Sequence, residues 1–325
     1  MSTRADPPPG PAWPPTGEVE PGLPLQWTDH PGNPLLGPPF PEPLLADPCV
    51  LLPADSPDGQ WHLFAHGVLR GVHHYVGEDG VRWRRVGRVR HGLRPYLVRA
   101  PQGDYHLFYE QLVLPLGSRI VRVRSTDLQR FSPPEVVLAP TLPWEGRRVP
   151  TCGNPCVLPR EGGWWLYYSA AQVWLPDCSY PEPRHIGLAR ATSLEGPFEK
   201  LPAPLISPSP AVPHRNLGAG AMKVIPDLRQ PASQRLWGFT NGIYTDLQGR
   251  SRSDIRLLLS DDGLSWREAW DQPLLAPAGP GWKRALVYAL DVRRVGDALW
   301  MYYNARDGWR VGRERIGLAT CPLSP

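Results

Sequence analysis

Three carboxylates occupy marked points of a recurring pattern in this chain. Asp47 opens one apolar stretch, Glu110 closes the next aromatic one, and Asp291 lies two residues into a third. A carboxyl gives or takes a proton according to its surroundings, so two held together can act as acid and base. Glu110 follows Leu-Phe-Tyr, an apolar setting that favours the neutral acid, whereas pairing with Arg94 would keep it ionised. The competing structural readings are an Arg94–Glu110 ion pair and a hydrogen bond between Asp291 and a neighbouring unit's backbone. His66, Arg94, Asn154 and Asn241 stand at equivalent ends of apolar runs, and Trp174, His214 and Arg215 fall in long connections. All seven are candidates to contact a polar ligand. His73 and His74 lie nearby but add no metal-ligand spacing, so no metal is expected.

Five copies of one aromatic run must position these groups: Trp61-His-Leu-Phe-Ala-His66, Tyr105-His-Leu-Phe-Tyr-Glu110, Trp164-Trp-Leu-Tyr-Tyr-Ser169, Leu236-Trp-Gly-Phe-Thr-Asn241 and Leu299-Trp-Met-Tyr-Tyr-Asn304. Such runs are too short for buried helices and fit strands covered on both faces. An apolar stretch precedes each copy, starting at Asp47, Arg94, Asn154, Gly220 and Ala289. Behind come a third strand, seen in His185-Ile-Gly-Leu-Ala and Arg315-Ile-Gly-Leu-Ala, and then a turn such as Asp79-Gly80 or Asp262-Gly263. Four antiparallel strands repeated five times predict an all-β, five-bladed β-propeller. The fifth unit lacks its fourth strand, and Leu25–Leu36 reads like 264–275, so the N-terminal segment is expected to close the ring. The expected organisation is a disordered Pro-rich lead over 1–22 and a single propeller domain over 23–325.

In such a blade the first strand begins, and the second ends, on one face of the ring. The longer connections (140–153, 170–184, 206–219, 242–253 and 276–287) fall on that face, where a rigid scaffold usually carries its binding site. Trp144 and Trp174 lie in two of them and could stack on a sugar ring or simply pack. Arg250-Ser-Arg-Ser-Asp254 reads equally as loop hydrogen bonding or ligand contact.

Composition removes other classes. The 325 residues carry 35 Lys and Arg against 31 Asp and Glu, a formal charge of +4 with no basic block, so neither nucleic acid nor membrane is an expected partner. The chain has 43 Pro and 32 Gly, but 14 Trp and 11 Tyr make it too aromatic to be disordered throughout. Five cysteines without a C-x-x-C pair read as thiols of a reducing compartment. With no signal-like N-terminus, a cytoplasmic protein is expected. The pattern implies no particular oligomeric state.

The run Ala46-Asp47-Pro48 opening the first of five blades, followed by Trp61-His-Leu-Phe, resembles the glycoside hydrolase family 43 and 32 clan. The similarity spans roughly residues 24–321 and is one of architecture and blade rhythm. It implies three acids: one at the head of blade one, one at the head of blade three and a Glu at the head of blade four. Only Asp47 matches. Asn154 takes the second position, and Leu217-Gly-Ala-Gly-Ala221 offers no acid at the third. The function implied is hydrolysis of an O-glycosidic bond in a small oligosaccharide or glycan, without a cofactor. Asp47 would be base or nucleophile, and Glu110 or Asp291 the replacement proton donor. Two carboxyls ~5 Å apart would give retention, and ~6.5–9.5 Å inversion. The alternatives are a non-catalytic sugar-binding propeller, favoured by the missing acids, and a phosphorylase whose anion is held by Arg94, Arg148, His214 and Arg215.

Overall fold

The computed structural model describes residues 25–89, 91–115, 117–229 and 233–323; the expected disordered lead over 1–22 lies outside them. Alternating apolar and aromatic residues pair into five antiparallel sheets of four strands each. The inner strands are Ala46–Leu51, Leu93–Arg99, Cys152–Arg160, Met222–Pro226 and Leu286–Val295. The five aromatic runs form the second strands, Trp61–Gly67, Tyr105–Leu112, Gly163–Leu175, Leu236–Thr245 and Ala298–Arg306. Thr28 and Asp29 pair with Thr320 and Ala319, and Asn33 exchanges two side-chain hydrogen bonds with the Leu318 backbone. The N-terminal segment therefore supplies the outer strand of blade five, as expected.

The core sits between blades. Trp61 of blade one stacks on Trp300 of blade five at 5.5 Å between ring centroids, and Tyr167 of blade three meets the edge of Trp266 in blade four at 5.9 Å. The Asp-Gly turns join this packing. The Tyr302 hydroxyl donates to the Gly80 carbonyl and the Tyr167 hydroxyl to that of Gly263, both at 2.8 Å. Each of these glycines has φ +72°, and a Cβ there would lie 2.8 Å from the same hydroxyl, so the turn and the blade contact both select glycine.

A second repeated device aims the inner strands at the central opening. Asp47, Arg94, Asn154, Gly220 and Ala289, the five expected strand heads, all have positive φ, between +39° and +65°. Register shifts in blades one, two, three and five mark these positions as bulges. A bulge re-aims its side chain at a cost of ~1–3 kcal/mol for a non-glycine residue, which surrounding contacts must offset. Polar ends of second strands supply several of these contacts across blades. Asn304 accepts from the Asp47 amide at 3.0 Å, His66 from the Arg94 amide at 3.3 Å, and the Ser169 hydroxyl donates to the Gly220 carbonyl at 2.8 Å.

Two of the expected long loops are largely strand. Over 170–184 the second and third strands of blade three extend as a hairpin to the pair Leu175–Tyr180, and over 242–253 those of blade four extend to Thr245–Ser251. Polar and proline residues masked the alternation there.

Candidate active site

The heads and second-strand ends of several blades enclose a cavity of about 300 Å³ at the mouth of the ring, at the small end of ligand-sized pockets. Asp47, His66, Arg94, Glu110, Asn154 and Asn241 line it, so six of the ten expected site residues come together. Glu182, Glu314, Tyr180, Tyr288, Arg306 and Gln172 line it as well, and none of these was expected.

Arg94 reaches Glu110 at 2.7 Å, the ion pair that was the competing reading. Burial opposes the charge on Arg94, but Glu110, Asp47 and Glu182 around it hold the guanidinium firmly protonated. Glu110 also packs on blade three, where a Cβ on Gly153 would fall 1.9 Å from its Oε2. It is thus an orienting partner, closed in between two blades.

The Asp47 carboxyl lies 3.3 Å from His66 Nδ1. Burial raises its pKa, while the cations Arg94 and Lys223 act the other way. Burial, joined by Arg94, pushes His66 down to about 3, so this imidazole is neutral at ordinary pH.

Glu182 is buried in the cavity wall, and its pKa is pushed up to about 8. Burial is the main cause; Glu314 and Asp47 add to the rise, and Arg94 and Arg306 oppose it. Glu314 pairs with Arg306 at 3.0 Å and is also raised by burial, against the Tyr288 hydroxyl and Arg306. Four carboxyls, Asp47, Glu110, Glu182 and Glu314, from blades one, two, three and five, thus share one poorly solvated space with two guanidiniums. Near neutral pH it can hold a protonated carboxyl, Glu182, beside two guanidiniums, a condition for acid–base chemistry.

The reason Glu182 reaches this space lies in blade four. The Gly220 head has φ +65°, and a Cβ there would fall 1.8 Å from the Asn241 carbonyl oxygen. The hairpin of blade three lies directly on this segment: Ala219 N–H donates to the Arg184 carbonyl at 2.9 Å and Gly220 N–H to that of Pro183 at 3.2 Å. The head of blade four therefore has no room for an acid, and the hairpin that covers it carries Glu182 into the cavity. Glu182 sits in Tyr180-Pro-Glu-Pro-Arg184, which reads as loop; the apolar run Val173-Trp-Leu175 continuing past Ser169 before a short turn was the signal that could have revealed a hairpin. Glu314 was detectable as the residue before Arg315-Ile-Gly-Leu-Ala, at the rim end of a third strand.

The remaining expected site residues lie elsewhere. Asp291 is buried between blades five and one, accepting from the Val50 amide at 2.6 Å and from Arg293 at 2.9 Å. It stands two residues after its strand head, as Cys49 and Cys156 do; these thiols accept from the Leu97 and Val224 amides of the next blade at 3.1 and 3.2 Å. Asp291 is thus the charged form of a repeated hook between blades, at the point where the ring closes, and not a lining residue of the cavity. Asp291→Ala is expected to lower stability by ~3 kcal/mol, because Arg293 and the Val50 amide lose their partner in a buried interface; urea unfolding checks this. His214 pairs with Glu268 at 2.7 Å in a separate small recess of blade four, and Arg215 bonds the Ser207 carbonyl beside it. Trp174 is 58% exposed near the hairpin tip, on the face of its strand shared with Gln172 but outside the cavity lining. Trp144 is buried, stacked on Tyr168 and donating to the Pro202 carbonyl.

No helix of the described residues is long and apolar enough to cross a membrane. No protein-family model matches the sequence, and no curated protein matches it either. Solved structures do match the fold. The catalytic domain of the Coprinopsis cinerea family 62 α-L-arabinofuranosidase superposes with a TM-score of 0.67 at 16% identity, over 91% of this chain and 97% of that one. A thermostable family 43 glycoside hydrolase gives 0.63 at 14%, over 89% and 91%. A member of family 130, described among mannoside phosphorylases that include hydrolases of β-1,2 mannosidic linkages, gives 0.64 at 14%, over 90% and 93%. The chain thus has the five-bladed propeller fold on which glycoside hydrolases of families 43 and 62 are built.

Proposed function

We propose that the protein hydrolyses a glycosidic bond of a small oligosaccharide or glycan in the cavity at the mouth of the ring. Asp47 is the base or nucleophile and Glu182 the proton donor. The observation that carries this reading is that Asp47 and Glu182 line one poorly solvated cavity. Burial raises the pKa of both and Arg94 opposes the rise at both; at Glu182, pushed up to about 8, Glu314 and Asp47 itself add to it. Glycoside cleavage needs a pair of carboxyls, one member protonated to release the leaving oxygen and one ionised. Glu182 then takes the role that the resemblance assigns to an acid at the head of blade four, from the hairpin packed over that head. Glu110 orients Arg94, and Arg94, Asn154, Asn241 and His66 are the sugar contacts. Release of reducing sugar from a panel of oligosaccharides and aryl glycosides tests the proposal; saturable sugar binding with no turnover anywhere in the panel would leave the non-catalytic reading instead.

A second reading, phosphorolysis, draws on the two guanidiniums Arg94 and Arg306 in the cavity. They offer an anion site beside the carboxyls, and one structural neighbour belongs to a family of mannoside phosphorylases. Turnover that rises with added phosphate and yields a sugar phosphate would select it.

A further inference from the structure

The reading above leaves the chemical class of the saccharide open, and a cluster beside the cavity bears on it. Building on that reading, we propose that the rim between blades four and five is a subsite for an oxyanion carried by the saccharide, formed by Arg250, Arg252 and Arg284 around Trp309.

The guanidinium carbons of these three arginines lie 5.2, 4.9 and 5.3 Å from the centre of one indole ring. The ring itself is fixed. Its Nε1–H donates to the Ser251 carbonyl at 2.8 Å, and its own carbonyl accepts from Arg306 Nη2 at 3.1 Å. Arg252 is further held by Asp246 at 2.7 Å and by the Arg284 carbonyl at 2.8 Å. Arg250 and Arg284 are exposed and form no ion pair among the described residues. Asp177 is engaged by the amide and hydroxyl of Ser251. Three cations therefore converge on one ring, and of these only Arg252 is paired, with Asp246.

Surface arginines are normally mobile, and immobilising each costs ~0.5–1.5 kcal/mol on binding. Here the indole face orders them beforehand through cation–π contact, so an arriving oxyanion finds its donors in place. Repulsion between Arg250 and Arg284, which form no ion pair among the described residues, is relieved by the same anion. A neutral sugar gains neither effect.

The cluster is continuous with the cavity. Arg306 lines the cavity and holds Trp309, and Trp309 packs against the apolar group containing Tyr288 and Ala289, which also line it. A saccharide with one residue in the cavity can thus set a uronate carboxylate, or a sulfate or phosphate ester, of another residue against these guanidiniums.

The test is calorimetric titration of the full chain carrying Asp47→Asn, so that affinity is read without turnover. The probes are tetragalacturonic acid, a sulfated heparin tetrasaccharide, neutral cellotetraose and free sulfate. At low salt, one acidic tetrasaccharide is expected to bind at least ~10-fold more tightly than cellotetraose, through charge-assisted bonds. Which of the two it is separates a carboxylate from an ester. The Arg250→Gln/Arg284→Gln double variant, with an unchanged unfolding midpoint, is expected to lose that preference. Equal binding of acidic and neutral probes, a preference that survives the double variant, or free sulfate binding as tightly as any tetrasaccharide would each overturn the subsite. Because the readout is affinity, failure of the cleavage proposal leaves this result intact, and continued cleavage of neutral glycosides cannot rescue it.

Discussion

Asp47→Asn is expected to lower kcat by ~10²–10⁴-fold, the range for removing a positioned acid–base group, while the unfolding midpoint hardly moves. The substitution suits the backbone. Position 47 has φ +53°, which Asn tolerates better than most residues, and the same head in blade three is already Asn154 at φ +48°. The Asp47 amide, which holds the head to Asn304, is untouched. An unchanged midpoint with lost turnover therefore isolates the carboxylate. A folded variant that cleaves as fast as the parent would remove Asp47 from the chemistry.

Glu182→Gln is the second large effect, and it has two signatures. The first is kinetic. With a proton donor of pKa about 8, activity should fall as pH rises through that value, and the Gln variant should lose this limb together with ~10²–10⁴-fold of kcat on substrates with poor leaving groups. Aryl glycosides with acidic leaving groups need little proton donation and should suffer much less. A uniform loss across leaving groups would argue against Glu182 as donor.

The second signature is thermodynamic. The folded-state pKa of Glu182 stands above its ordinary 4.5, so the folded chain keeps this proton while the unfolded chain releases it. Stability attributable to the group is full below pH 4.5 and is lost as pH rises toward about 8. Each pH unit of that window is worth at most ~1.4 kcal/mol, and sharing of the proton with Asp47 and Glu314 reduces it. Gln cannot ionise, so Glu182→Gln is expected to raise the melting temperature relative to the parent at pH 8 and to leave it nearly unchanged at pH 4.5. Calorimetric melting at both pH values checks the sign independently of any substrate.

Much of the scaffold was legible before the structure because it is local. The five aromatic strands, the Asp-Gly turns and the pairing of the N-terminal segment with blade five depend on alternation and turn chemistry over a few residues. The heads Asp47, Arg94, Asn154, Gly220 and Ala289 could be located by their place in the repeat, and the structure finds each with positive φ. Position alone did not say which way a polar side chain is used. Asp47 and Asp291 both belong to inner strands near the mouth, yet one faces the cavity and the other hooks the Val50 amide across the closure of the ring.

The sequence by itself determined a closed ring of five blades and the aspartate at its mouth, since short-range patterning is enough to specify strands, turns and their order. Tertiary structure alone decided the rest of the site. Glu182 arrives on a hairpin whose course follows from its packing over Gly220, and Glu314, Arg306 and Tyr288 come from the blade farthest from Asp47 in the chain. The protonation of Glu182 is set by desolvation and by the fields of side chains on four different strands. That sum exists only once the ring has closed and excluded water.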